Sequence, residues 1–134
     1  MIYDISFETK TSINQWRELI LYFSKMADTI HIQYWKWEDI KNKLHISNAT
    51  SEEMGKIIVL KCCLTDNILH QVLSINNGQD ENICFSIFLS KDKEVFFYAE
   101  HYGEEYHILG IHEDDVTYIK SIIPNEALKI RVVE

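Results

Sequence analysis

Proline and glycine are scarce in this 134-residue chain, at one Pro and four Gly. Collagen, glycine-rich linkers and proline-rich disorder are excluded on that ground. The glycines (Gly55, Gly78, Gly103, Gly110) are isolated, so neither a phosphate-cradling loop nor a dinucleotide fingerprint is present. No apolar run approaches the roughly 18 residues of a membrane span, and Ile57–Leu60 is broken by Lys61. The start of the chain has no basic stretch and carries Asp4, which is not the pattern of a secretory signal. Cysteine is sparse and odd in number (Cys62, Cys63, Cys84), with no C-x-x-C. Buried free thiols in a reducing cytosol, and hence a cytoplasmic location, are the expectation.

Catalytic signatures are missing too. There is no HxxxH, HExxH or G-x-S-x-G among the residues. His107, His112 and Asp114 lie close together, but His112 precedes a predicted helix while His107 sits within a predicted strand. No metal, no cofactor and no catalytic residue is therefore assigned, and the chain is not read as an enzyme.

What is present is an ordinary globular composition, 46% hydrophobic and 25% charged. A chain of this length buries roughly two thirds of its unfolded surface and needs no metal or disulfide to fold. It reads as one domain, residues 1–134, without repeat or linker. Its charge is unusual: 21 acids against 13 bases give −8. From Glu94 to Ile119 there is no Lys or Arg, and that window holds Glu94, Glu100, Glu104, Glu105, Glu113, Asp114 and Asp115. Those seven account for nearly the whole excess. Phe96, Phe97, Tyr98, Tyr102, Tyr106 and Tyr118 lie in the same window. An acidic chain repels nucleic acid and anionic membranes and attracts basic proteins. Direct nucleic-acid binding and membrane association are not expected.

Periodicity supplies the fold class. Residues 2–8 alternate as a strand. Ser12 and Gln15 form a capping-box signal, followed by Ile13, Trp16, Ile20, Phe23 and Ala27 at helical spacing. Thr29–Trp37 alternates as a strand, with His31, Gln33, Trp35 and Trp37 opposite Ile30, Ile32 and Tyr34. Trp35 and Trp37 are then either covered by the long helix, the commoner arrangement, or exposed as interface anchors. Glu38–Leu44 reads as a short helix and Ser47–Ser51 as a polar break. Lys56–Thr65 is expected as a buried strand, with Cys62 and Cys63 in the core; a helix from Thr50 is the rival, opposed by Gly55 and the β-branched run. Ile68–Ile75 is strand or helix. Asn76–Asp80 is a turn, and Ile83–Ser90 (with Cys84 in the core), Glu94–Tyr102 and Glu105–Ile111 are strands. Glu113–Ile123 is a helix stopped by Pro124, and Ala127–Val133 a closing strand. The expected fold is α+β: an antiparallel β-sheet packed against an N-terminal amphipathic helix and a C-terminal helix.

Gly103-Glu104 fits a two-residue hairpin loop. Pairing then sets Tyr102 opposite Glu105, Glu100 opposite His107, Tyr98 opposite Leu109 and Phe96 opposite Ile111, all on one outer face. Val95, Phe97, Ala99, His101, Tyr106 and Ile108 take the core face. The candidate partner-binding residues are Tyr98, Glu100, Tyr102, Glu104, Glu105, Tyr106, His107, Glu113, Asp114 and Asp115. A plainer structural account exists for each group: tip acids blunt a sheet edge, and first-turn acids oppose a helix dipole.

In size, cytosolic character and acidic aromatic patch, the chain resembles the immunity proteins of bacterial toxin systems, such as contact-dependent growth inhibition and colicin-type systems. The residues carrying the resemblance are Glu100, Tyr102, Glu104, Glu105, Tyr106, Glu113, Asp114 and Asp115. It implies a stoichiometric inhibitor whose acids meet the Lys and Arg of a cognate basic toxin, a nuclease being the natural case. An interaction subunit of an assembly, anchored by Trp35 and Trp37, is the alternative from the residues alone. An acidic nucleic-acid mimic is a further one.

Overall fold

The computed structural model describes residues 1–38, 40, 44, 46, 49–74 and 85–134. In chain order the elements are β1 (Tyr3–Glu8), α1 (Ile13–Ser24), β2 (Thr29–Trp35), β3 (Thr50–Met54), β4 (Ile57–Cys63) and α2 (Asp66–Ser74). There follow β5 (Ser86–Lys91), β6 (Glu94–Glu100), β7 (Glu105–Ile111), α3 (Glu113–Ile122), a 3-10 turn (Asn125–Ala127) and β8 (Leu128–Val132). The strands form one antiparallel sheet in the order β3-β4-β2-β5-β6-β7-β1-β8. The α+β expectation holds, with helices N- and C-terminal to most of the sheet.

Local chemistry explains the elements. The Ser12 hydroxyl accepts from the Gln15 amide and the Gln15 side chain accepts from the Ser12 amide, so the capping box starts α1. The helix stops at Ser24, earlier than its apolar stripe suggested. Met26 and Ala27 bond three residues back, and the Ser24 hydroxyl binds the Leu21 carbonyl. Trp16, Leu19, Ile20 and Phe23 face the sheet, where they meet Ile5, Phe7, Ile30, Ile87, Leu89, Phe97 and Ile108 in one core. Each such side chain contributes about 1.5–3 kcal/mol through burial. No described helix is long and apolar enough to cross a membrane.

Several expectations change. Thr50–Met54 is the edge strand β3 rather than part of a polar break, and it is exposed along its whole length, which is why no apolar pattern betrays it. On β4, Leu60 and Cys62 are buried but Lys61 and Cys63 are exposed, because alternate residues of an antiparallel strand face opposite ways. Ile68–Ile75 resolves as helix α2 as far as Ser74, its first turn capped by the Thr65 hydroxyl. β2 ends at Trp35, where the Glu38 carboxylate takes the Trp35 amide proton. Ile40 and Leu44 are buried. The rest of the expected short helix beyond Glu38, the Asn76–Asp80 turn and Ile83-Cys84 lie outside the described residues.

Candidate functional site

The hairpin of β6 and β7 closes differently from the sequence expectation. Glu100 pairs with Glu105, Ala99 with Tyr106, Tyr98 with His107 and Phe97 with Ile108. The loop is therefore His101-Tyr102-Gly103-Glu104, and its first three residues take φ of 55°, 58° and 79°. The pairing is displaced by two residues, an even number, so most side chains keep their predicted face. Phe97, Ala99, Tyr106 and Ile108 are buried; Tyr98, Glu100, Glu105 and His107 are half-buried on the opposite, outer face. His101 leaves the core face for the turn and is exposed.

The base of the hairpin departs further. The β1–β7 register shifts by one residue between Tyr3 and Ile5, opposite Gly110 at φ 66°. The β5–β6 register shifts between Leu89 and Ser90. A one-residue bulge exchanges faces. Ile111 is consequently buried and Phe96 packs on the core, instead of forming an outer apolar base with Tyr98 and Leu109.

Tyr106 is not a surface residue. It is fully buried, stacks on Phe7 at 4.6 Å, and its hydroxyl meets the Thr11 hydroxyl at 2.7 Å. Because the Thr11 hydroxyl donates to the Gly103 carbonyl, Tyr106 is the donor in that pair. Burial pushes its phenol pKa up. Tyr106 is thus a core anchor for the hairpin turn, and the partner-contact expectation for it is corrected. Asp115 is corrected likewise: it is 7% exposed, accepts the His112 amide as a helix cap, and accepts the Tyr22 hydroxyl at 2.8 Å. Burial, then the Asp115 hydrogen bond, push the Tyr22 phenol up to about 12.

The acidic window divides in two. Glu113 and Asp114 are exposed at the start of α3, beyond the far end of β7 from the hairpin tip. Six residue steps of strand, roughly 20 Å, separate them from Glu105. The tip instead gathers residues from elsewhere in the chain. Glu8 of β1 pairs with Glu105, so Glu8, Glu105 and Glu100 stand side by side across three strands. Glu104 is exposed in the turn, and Glu8, Lys10, His101, Glu104 and Glu105 line a shallow cavity of about 330 Å³.

Imidazoles flank the carboxylate row. Glu105 Oε2 is 3.0 Å from His101 Nδ1, and Glu105 Oε1 is 3.1 Å from His107 Nε2. The His107 hydrogen bond, with the nearby His101, holds the Glu105 carboxyl below its usual range despite opposing desolvation. One ligand atom each from Glu100, Glu105 and His107 lie within 4.8 Å of one another. His112 and Asp114, which the sequence sets near His107, are not part of this group.

The tryptophans join the same end of the sheet and are not beneath α1. Trp37 is 70% exposed and stacks on Trp35 at 5.0 Å. Trp35 meets Phe85 at 5.1 Å, and Phe85 meets both His101 and Tyr102 at 5.5 Å. The Glu38 carboxylate takes the Trp35 amide proton with one oxygen and the Tyr102 hydroxyl with the other, at 3.0 Å. Tyr98 is set between Phe88 and His107. Sequence reasoning treated the tryptophan pair and the hairpin as competing surfaces; they are one surface. It missed Glu8, Glu38 and Phe85, and placed His101 inside. Only the pairing of β1 with β7 and of β2 with β5 brings these residues together, and no local pattern signals it.

Against known proteins, no family model, curated protein or solved structure matches this chain.

Proposed function

We propose that this protein acts by binding, not by catalysis, and that it captures a basic protein partner in the cytoplasm. The partner we infer is a cognate toxin domain, a nuclease in the simplest case, which the protein neutralises by occupying its cationic surface. One observation carries the reading: Glu8, Glu100, Glu104 and Glu105 adjoin Trp35, Trp37, Phe85 and Tyr102 at one end of the sheet. Carboxylates of one sign speed encounter with a cation-rich protein, and exposed aromatics supply the contact area that holds it. The row runs across β6, β7 and β1, which are interior strands of the sheet, so a plain edge-blunting role accounts for it poorly. Glu113 and Asp114 form a separate acidic point, not part of the same contact.

The test is a pull-down from a lysate of the encoding organism at low salt, eluted with a salt gradient. A basic protein of nuclease sequence, released by salt and lost on Glu104→Lys/Glu105→Lys, supports the reading. Absence of a basic partner, or binding indifferent to that reversal, overturns it. Adding the purified protein to the captured nuclease should abolish cleavage at equimolar ratio, whereas a bystander complex leaves cleavage intact.

A further inference from the structure

We infer that the outer face of the β6–β7 hairpin is a site for one transition-metal dication of the zinc type, held by Glu100, Glu105 and His107. The three ligand atoms already lie within 4.8 Å of one another, a separation that one ion with bonds of about 2.0–2.2 Å closes by small side-chain rotations. The residues occupy rigid strand positions. Glu100 and Glu105 are a direct cross-strand pair, and His107 lies two residues along on the same face.

The donor set is what separates this group from an ordinary acidic patch. An imidazole nitrogen with two carboxylates suits zinc and its neighbours; magnesium and calcium prefer all-oxygen shells with more ligands. Glu105 reaches His107 through Oε1, while its other oxygen is engaged by His101 Nδ1, which restrains the carboxylate. The positive φ of His101, 55°, returns its side chain toward Glu105 instead of continuing the strand alternation. Two like charges directly opposite on neighbouring strands repel, and a dication between them converts repulsion into attraction. Three protein ligands leave a fourth position for water or for a donor from a bound partner.

The inference does not depend on the proposed function, because the test uses the protein alone. Chelator-stripped protein is titrated with Zn²⁺ by calorimetry at pH 7.5, with Co²⁺ as a spectroscopic probe and Mg²⁺ as a control. One Zn²⁺ per chain is expected, with intense four-coordinate Co²⁺ absorption in the visible and no Mg²⁺ heat. Glu100→Gln and His107→Gln should each weaken Zn²⁺ at least tenfold and abolish the Co²⁺ band. His101→Gln, acting through Glu105, should weaken Zn²⁺ about tenfold while retaining a Co²⁺ band. Circular dichroism and Tm verify that each variant is folded. No stoichiometric Zn²⁺ binding, or binding and Co²⁺ absorption unchanged in folded Glu100→Gln and His107→Gln, overturns the assignment.

Discussion

Thr11 offers a sharp test of how the hairpin is held. Its hydroxyl accepts from Tyr106, at 2.7 Å, and donates to the Gly103 carbonyl, at 2.9 Å; its backbone amide reaches the same carbonyl at 3.0 Å. Both residues are buried. Thr11→Val keeps the shape and the backbone bond to Gly103, so that carbonyl stays satisfied. What is lost is the acceptor for the Tyr106 hydroxyl, which water cannot replace at that depth. An orphaned buried hydroxyl costs about 1–3 kcal/mol, and at about 3–5 °C per kcal/mol for a chain this size Tm should fall by roughly 3–15 °C. Adding Tyr106→Phe removes the orphan. The double variant should therefore be more stable than Thr11→Val, within about 1 kcal/mol of the parent. Urea unfolding of the four proteins of the cycle measures the coupling directly. A Thr11→Val protein as stable as the parent, or a double variant whose loss equals the sum of the singles, would refute the reasoning.

The other predictions concern charge, backbone and thiols. Glu100→Gln removes one of two directly opposed carboxylates, so at pH 8 without metal the variant should be more stable by about 0.2–1 kcal/mol in chemical denaturation. Gly110 sits at φ 66° with open space where a Cβ would go. Gly110→Ala should therefore cost about 1–2 kcal/mol through backbone strain alone, and Gly110→Asn should cost less by the same assay. The Tyr22 phenol is raised from 10.0 to about 12. A folded-state pKa above the unfolded one means stability that is fully present below about pH 10 and lost as pH rises toward 12; Tyr22→Phe should blunt that loss when Tm is followed across the alkaline range. Cys63 is exposed, whereas Cys62 is buried with its thiol pKa pushed up by that burial. Brief treatment with a thiol reagent followed by peptide mapping should find the label on Cys63 and spare Cys62.

How far the sequence reveals the fold depends on how local each signal is. The capping box of Ser12 and Gln15 is written in four residues, and α1 begins where it says. The core face of the hairpin is legible from alternation, because Phe97, Ala99, Tyr106 and Ile108 keep their side even though the loop is longer than the Gly103 signal suggests. The turn departs because the backbone places Gly103 third in a run of positive φ, after His101 and Tyr102. No propensity foretells left-handed conformations for a histidine and a tyrosine; tertiary bonds hold them there. Tyr102 donates its amide to the Phe85 carbonyl, and Thr11 donates its amide to the Gly103 carbonyl. Bulges defeat alternation in the same way, since one extra residue on β7, where Leu109 and Gly110 stand against Asp4, turns Ile111 inward. Edge strand β3 escapes notice because a strand exposed on both faces needs no apolar period.

The candidate site is illegible for a stronger reason: its parts are distant in sequence and adjacent only through topology. β1 enters the sheet between β7 and β8, which delivers Glu8 to Glu105. β2 pairs with β5, which brings Trp35 to Phe85 and so to Tyr102. Once there, these residues obey a different economy from the core beneath them. The core face stacks Phe7 on Tyr106 and sets Phe97 edge-on to Tyr106, each contact favourable for folding. On the opposite face of the same strands, three carboxylates stand side by side, and a tryptophan stands 70% exposed. The same β7 backbone carries both, with alternate residues serving opposite faces. Tyr106 pins the turn from below while Glu105 and His107 on either side of it are held outward. A strand so divided lets the tip keep a fixed geometry, because support comes from one face and chemistry from the other. Replacing Glu100 on the outward face, opposite Glu105, should therefore spare or raise stability while weakening ligand or partner binding. Replacements on the inward face should lose both together.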